Sequence, residues 1–250
     1  MLGWNQYFAT IDEQFASFVV NLDAGKSEQR QSLPQLCRLT LTLLSPDEKG
    51  MSTPHEDRML FRIESMLESE SEQHLYGMYI GRYTVNGKRC FALYLPEGIP
   101  VELILNGVME NFGDYDYELD VQQDEAWSFF DDFLYPDREN LQYIMNRQVM
   151  RHLQEKGDDL TTHREVEHWI YFSDLDSFFD CKEKVERLGY AILTEAFDEE
   201  EDMDMPYRLH FSRNENLLDK SFDDNVIHLL RTAEEHDGEY DGWETEVKTD

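Results

Sequence analysis

The chain has 250 residues, 40% of them hydrophobic, with 15 Phe, 13 Tyr and 4 Trp; this is enough to build packed cores and excludes wholesale disorder. Its 54 Asp and Glu against 22 Lys and Arg give a formal net charge of -32, which repels phosphate and anionic membrane surfaces and attracts basic partners. The charge is uneven: residues 1–100 carry a net -4 and residues 101–250 a net -28.

In chain order, residues 4–10 and 15–22 predict a hairpin, being rich in aromatic and β-branched residues around a polar turn. A strand at about 36–44 follows, in which Cys37, Leu39, Leu41 and Leu43 alternate with Arg38, Thr40 and Thr42. Thr53, Pro54 and Glu56 predict a helix start with a capping box, and Leu60, Ile63 and Leu67 continue at helical spacing to about residue 70. Strands at 75–85 and 89–95 are joined at Asn86-Gly87, a pair suited to a type I′ turn. A helix at 99–112 and a strand at 116–122 close the first half. Two helical stretches, 124–134 and 138–155, form the link, the second with a stripe of Leu141, Ile144, Met145, Val149 and Leu153.

The same order then recurs. A strand at 165–172 leads to a helix at 174–188, with Ser173 as its start and Gly189 just past its end. Strands at 190–197 and 206–212 flank an acidic loop, and a helix at 221–236 precedes a last strand at 239–247. Each half reads strand, helix, strand, strand, helix, strand. The expected fold is therefore α+β: two ferredoxin-like βαββαβ units, the first with an extra N-terminal hairpin, joined by helices. The expected domains are 1–135 and 136–250.

Signals for catalysis are weak: no Gly-rich phosphate loop, no G-x-S-x-G and no H-E-x-x-H occur. His163 and His168 bracket Glu165 and Glu167, but on a strand His168 faces away from Glu167, so no metal geometry follows. No cofactor is expected. Cys37, Cys90 and Cys181 are far apart and suit buried free thiols in a reducing compartment. The amino terminus lacks the basic and apolar regions of a signal peptide, and no run is long enough for a membrane span, so a cytoplasmic protein is expected.

The densest acidic run holds Asp198, Glu199, Glu200, Glu201, Asp202 and Asp204. It lacks the glycine and terminal glutamate of an EF-hand loop. It reads plainly as a solvated hairpin loop, functionally as a docking surface for Arg or Lys of a partner, or thirdly as a weak cation site. In 165–172, Val166, His168, Ile170 and Phe172 share one face and Trp169 and Tyr171 the other; Tyr207, Leu209 and Phe211 likewise oppose Arg208 and His210. Aromatics on an open four-stranded sheet are how some modules stack RNA bases. The net charge opposes RNA, and the expectation is that the first domain or the 138–155 helix covers this face.

Two stretches carry a resemblance: LQEKGDDLTTHREVEHWIYFSDLDSFFDCKEKVERLGYAI, and DDNVIHLLRTAEEHDGEYDGWET with its Glu239-Tyr240-Asp241-Gly242-Trp243. Residues 139–247 resemble the RraB family, regulators of ribonuclease activity B. The resemblance implies a small acidic protein without catalytic activity that binds and restrains the endoribonuclease RNase E. Residues 1–135 resemble a bacterial domain family of unknown function (DUF 695), which implies no activity. By strand alternation Trp243 and Val247 share one face and Tyr240, Gly242 and Glu244 the other, and Trp243 reads as a core residue; Tyr240 and Asp241 join the acidic run as expected protein-binding residues. The expected partner is a basic region of an RNase E-like ribonuclease, with no direct nucleic acid or membrane contact. The rival expectation is an enzyme with an unidentified site in the first domain or between the domains.

Overall fold

In the first half of the chain, apolar alternation and tight turns build a six-stranded antiparallel sheet. Its elements are β1 (Trp4–Ile11), β2 (Gln14–Asn21), β3 (Gln35–Thr42), α1 (Pro54–Gln73), β4 (Met78–Val85), β5 (Lys88–Leu95), α2 (Val101–Met109) and β6 (Tyr117–Gln123). The computed structural model describes residues 3–197 and 204–249. The chain divides into two compact units, Met1–Asp137 and Arg138–Asp250.

The strand order of the first unit is β1-β2-β4-β5-β3-β6. The last four strands have the ferredoxin-like order, and the N-terminal hairpin adds β2 to the free edge of β4. Asn86 and Gly87 both take positive φ, 48° and 73°, as the β4–β5 turn requires. Asp12 and Glu13 do the same between β1 and β2, at 48° and 65°.

One face of this sheet buries Cys37, Leu39, Leu41, Phe91 and Leu93 against Leu60, Ile63 and Leu67 of α1 and Leu105 and Val108 of α2. The expected capping box at α1 is absent: Thr53 makes no side-chain cap bond. The Glu56 carboxylate turns away to accept from the amides of Leu44 (2.8 Å) and Ser45 (3.1 Å). Glu56 is buried, and two loop amides that would otherwise lack partners are satisfied there.

The other face is covered by the segment after β6. The expected helix at 124–134 is a turn followed by a six-residue π-helical stretch, Phe129–Leu134. Trp127 is completely buried, stacks on Tyr94 at 3.9 Å, and donates from Nε1 to the Leu33 carbonyl at 3.0 Å. Tyr7 donates to the Leu134 carbonyl at 2.9 Å. Aromatic anchoring decides the path of this segment over its helical propensity.

The second unit contains α3 (Arg138–Glu155), β7 (Arg164–Phe172), α4 (Leu175–Arg187), β8 (Ala191–Phe197), β9 (Tyr207–Glu215), α5 (Ser221–Glu235) and β10 (Gly238–Thr245). Its sheet order, β10-β7-β9-β8, is again ferredoxin-like and antiparallel. Val166, Ile170, Phe172, Leu209 and Phe211 pack under Phe178 and Val185 of α4 and Val226, Leu229 and Leu230 of α5. The cap of α4 is Asp174, whose carboxylate accepts from the Ser177 amide at 2.9 Å, and not the expected Ser173. Gly189 ends the helix at φ 87°.

The expected apolar stripe of α3 is only half realised. Ile144 and Leu153 are buried, but Met145 is exposed, and the polar Gln142 and Asn146 are buried instead. Asn146 Oδ1 accepts from Gln142 Nε2 (2.9 Å) and Trp243 Nε1 (2.8 Å), while its Nδ2 donates to Asp223 (2.8 Å). Asp158 and Arg164, both without side-chain exposure, form a two-point ion pair, and Asp158 also accepts from the Lys248 amide at 2.7 Å.

Candidate protein-docking face

In the second unit the helices cover one face of the sheet. Helix α3, one of the two expected covers, does not lie on the other. It packs against α5, where Glu139 meets Arg231 in a two-point pair (2.6 and 2.7 Å) and Arg138 meets Glu234 (3.0 Å). Strand alternation then gives β7 an outer row of Glu165, Glu167, Trp169 and Tyr171, against an inner row of Val166, His168, Ile170 and Phe172, all fully buried.

The outer row is organised. Trp169 stacks on its cross-strand neighbour His210, with ring centres 4.6 Å apart and planes 12° from parallel. His210 Nε2 sits 2.7 Å from the Glu167 carboxylate, and Ser212 donates to Glu165 at 2.6 Å. Arg208 lies opposite Tyr171. On β10, Glu239 pairs with Tyr171 and Glu244 with Glu167, which adds two exposed carboxylates to the face. The result is an aromatic pair ringed by Glu165, Glu167, Glu239 and Glu244, with Arg208 as its one arginine. Such a surface suits a cation that stacks on a ring while a carboxylate neutralises it.

Of the expected binding residues, Asp204, Tyr240 and Asp241 fall within the described residues. Asp198, Glu199, Glu200, Glu201 and Asp202 lie outside the described residues. Asp204 is exposed ahead of β9, and Asp241 is exposed on β10.

Tyr240 is a correction: it is 6% exposed and its hydroxyl lies 2.8 Å from His168 Nδ1, inside the core. The cause is a bulge. Tyr240 pairs with Ile170 and Gly242 with Trp169, leaving Asp241 as an extra residue that shifts the alternation by one. Gly242 takes φ 107°, a conformation L side chains rarely adopt. Tyr240 and Trp243 therefore both face the core, and Glu239 and Glu244 both face out. Glu165, Glu167 and Glu244 were within reach of simple alternation; Tyr240 and Glu239 were misphased by the unseen bulge.

Beneath the face, burial pushes the His168 imidazole down to about 3, with Arg213 adding to the effect, so the ring is neutral near pH 7. Burial pushes the thiols of Cys37 and Cys181 up to about 12, and all three cysteines are buried and free, so none is set up as a nucleophile. Among the described residues no group of three or more His, Cys, Asp or Glu is placed to hold a metal ion. Nor is any described helix long and apolar enough to cross a membrane.

Fold and face together define a tandem α+β protein built from two ferredoxin-like units. The chain belongs to the family of unknown function DUF695, whose model matches residues 3–135. Residues 143–245 match the model of the family described as regulator of ribonuclease activity B, RraB. No curated protein matches the chain significantly. A crystal structure of an unknown protein from Galdieria sulphuraria aligns over 86% of this chain and 99% of its own, at 10% identity and a TM-score of 0.26, too low to bear on the fold.

Proposed function

We propose that the protein is a non-catalytic regulator of RNA turnover, in which the second unit binds a basic segment of an RNase E-like endoribonuclease and restrains its cleavage of RNA. The observation that carries this reading is the match of residues 143–245 to a family of ribonuclease regulators. Charge supports it: residues 138–250 hold 30 Asp and Glu against 13 Lys and Arg. That imbalance repels RNA and draws in a cationic protein segment.

The docking surface in this reading is the Trp169–His210 pair with Glu165, Glu167, Glu239 and Glu244, together with Asp204 and Asp241. An arginine of the partner stacks on the aromatic pair while the carboxylates compensate its charge. Inhibition follows from occupying a basic region that RNA would otherwise use.

The test is association of the full chain with a purified RNase E-type enzyme from the same host, followed at rising ionic strength alongside its cleavage of a model RNA. Binding that weakens steeply with salt, with parallel loss of cleavage, supports the proposal. Absence of association at low salt overturns it.

A further inference from the structure

The N-terminal hairpin leaves part of the first unit's sheet unroofed. Two helices, each about 10 Å across, shade roughly four strands at ~4.8 Å spacing, and this sheet has six. Helix α1 packs on β4 and β5. On the outlying strands Trp4, Phe8 and Phe15 stay 44%, 47% and 39% exposed. Between the hairpin and the end of α1 lies a cleft of about 640 Å³, a size usual for small-molecule sites.

Its lining combines two kinds of group. Trp4 and Tyr79 are aromatic walls with rings 5.5 Å apart, and Tyr76 stands at the rim, 70% exposed. Glu68 and Glu72, one turn apart on α1, supply two exposed carboxylates, and neither has a hydrogen-bond or ion-pair partner among the described residues. Asn21, Gln29 and Ser71 add neutral polar groups, and no Lys, Arg or His lines the cleft.

Three local choices here run against the stability of the empty protein. Like charges at i and i+4 repel on a helix. A carboxylate in the last helical turn, where Glu72 sits, opposes the helix dipole. Tyr76 takes φ 50° just past the helix, a position that favours glycine or asparagine, and its ring gains no burial in return. A cation between Glu68 and Glu72 relieves both electrostatic costs, and the exposed Tyr76 ring offers a surface on which the body of such a ligand can lie. Departures from local preference that converge on one concave surface mark function.

We propose that this cleft binds a small organic cation, a guanidinium or primary ammonium compound, with its charge between Glu68 and Glu72 and its body against Trp4. The site belongs to the unit without assigned activity and does not depend on the ribonuclease reading.

The experiment is calorimetric titration of the full chain with Nα-acetyl-L-argininamide and with spermidine, using the uncharged isostere Nα-acetyl-L-citrullinamide as control. The expected result is saturable one-to-one binding of at least one cation, at least about tenfold tighter than the control and weakened by salt. The double variant Glu68→Gln, Glu72→Gln changes two exposed side chains and folds normally; it loses about tenfold or more in affinity. Trp4→Phe retains binding and Trp4→Leu weakens it, each checked for native circular dichroism. Preference for argininamide over spermidine identifies a guanidinium ligand, and the reverse a polyamine. Equal response to cation and control, or undiminished binding in the folded double variant, overturns the proposal.

Discussion

Tyr240 and His168 meet across the β10–β7 pair, hydroxyl to Nδ1 at 2.8 Å, in the middle of the second unit's core. The second imidazole nitrogen, Nε2, is buried without a partner. The most specific stretch of the resemblance, Glu239 to Trp243, is thus largely an internal fastening: Tyr240 binds His168 and Trp243 binds Asn146.

This fastening makes stability depend on pH. The folded His168 holds its proton only below about 3, while an unfolded histidine holds it below about 6.5. Between those values the unfolded state binds more protons, so stability is full above pH 6.5 and falls as pH drops towards 3. The expected slope is up to about 1.4 kcal/mol per pH unit. Urea unfolding at pH 7, 6, 5 and 4 measures it, and His168→Gln should flatten the profile. A slope unchanged by that substitution would place the titrating group elsewhere.

Tyr240→Phe removes the one hydrogen bond of a buried imidazole. The expected loss is about 1–2 kcal/mol, with no change in affinity for a partner, because the ring does not reach the surface. Denaturant midpoint and partner affinity, measured on the same sample, separate the two roles.

Asn146 joins α3 to α5 and β10 by three side-chain bonds, to Gln142, Asp223 and Trp243. Asn146→Ala strands the Trp243 N–H and opens a small void, at an expected cost of about 2–4 kcal/mol. Asn146→Asp keeps the acceptor for Trp243 but sets a second carboxylate against Asp223, and should also destabilise. Thermal unfolding of the two variants distinguishes lost bonding from added repulsion.

Asp158 and Arg164 pair without exposure to water. The guanidinium and the Lys248 and Leu160 amides hold the Asp158 carboxyl well below the usual range. Its contribution is present above the ordinary carboxylate value near 3.8 and disappears as pH falls below that, a window lower than that of His168. Asp158→Asn leaves Arg164 charged and half-satisfied in the interior, costing about 3–5 kcal/mol at pH 7. A loss under 1 kcal/mol would mean that water reaches the guanidinium.

On the docking face, Glu239, Asp241 and Glu244 are exposed on β10. Neutralising all three as Gln, Asn and Gln should leave stability within about 0.5 kcal/mol. Association with a basic partner should slow several-fold at low salt and become less salt-dependent. Surface plasmon resonance at three ionic strengths reads both quantities.

Strand alternation, the Asn86-Gly87 turn and the glycine after α4 are local signals, and from them the chain order of both ferredoxin-like units was legible. So were the partition of Trp169 from His168 and the excess of negative charge. Three features were decided only by tertiary structure. The bulge at Asp241, which turns Tyr240 inward and Glu239 outward, arises from register against β7, and local period carries no record of a partner strand's register. Glu56 left its expected cap for amides twelve and eleven residues upstream. Residues 124–134 exchanged a regular helix for a path that buries Trp127 on Tyr94. In each case a contact between distant residues outweighed a local preference worth about 1 kcal/mol or less, because burying an aromatic ring or satisfying a buried amide is worth more.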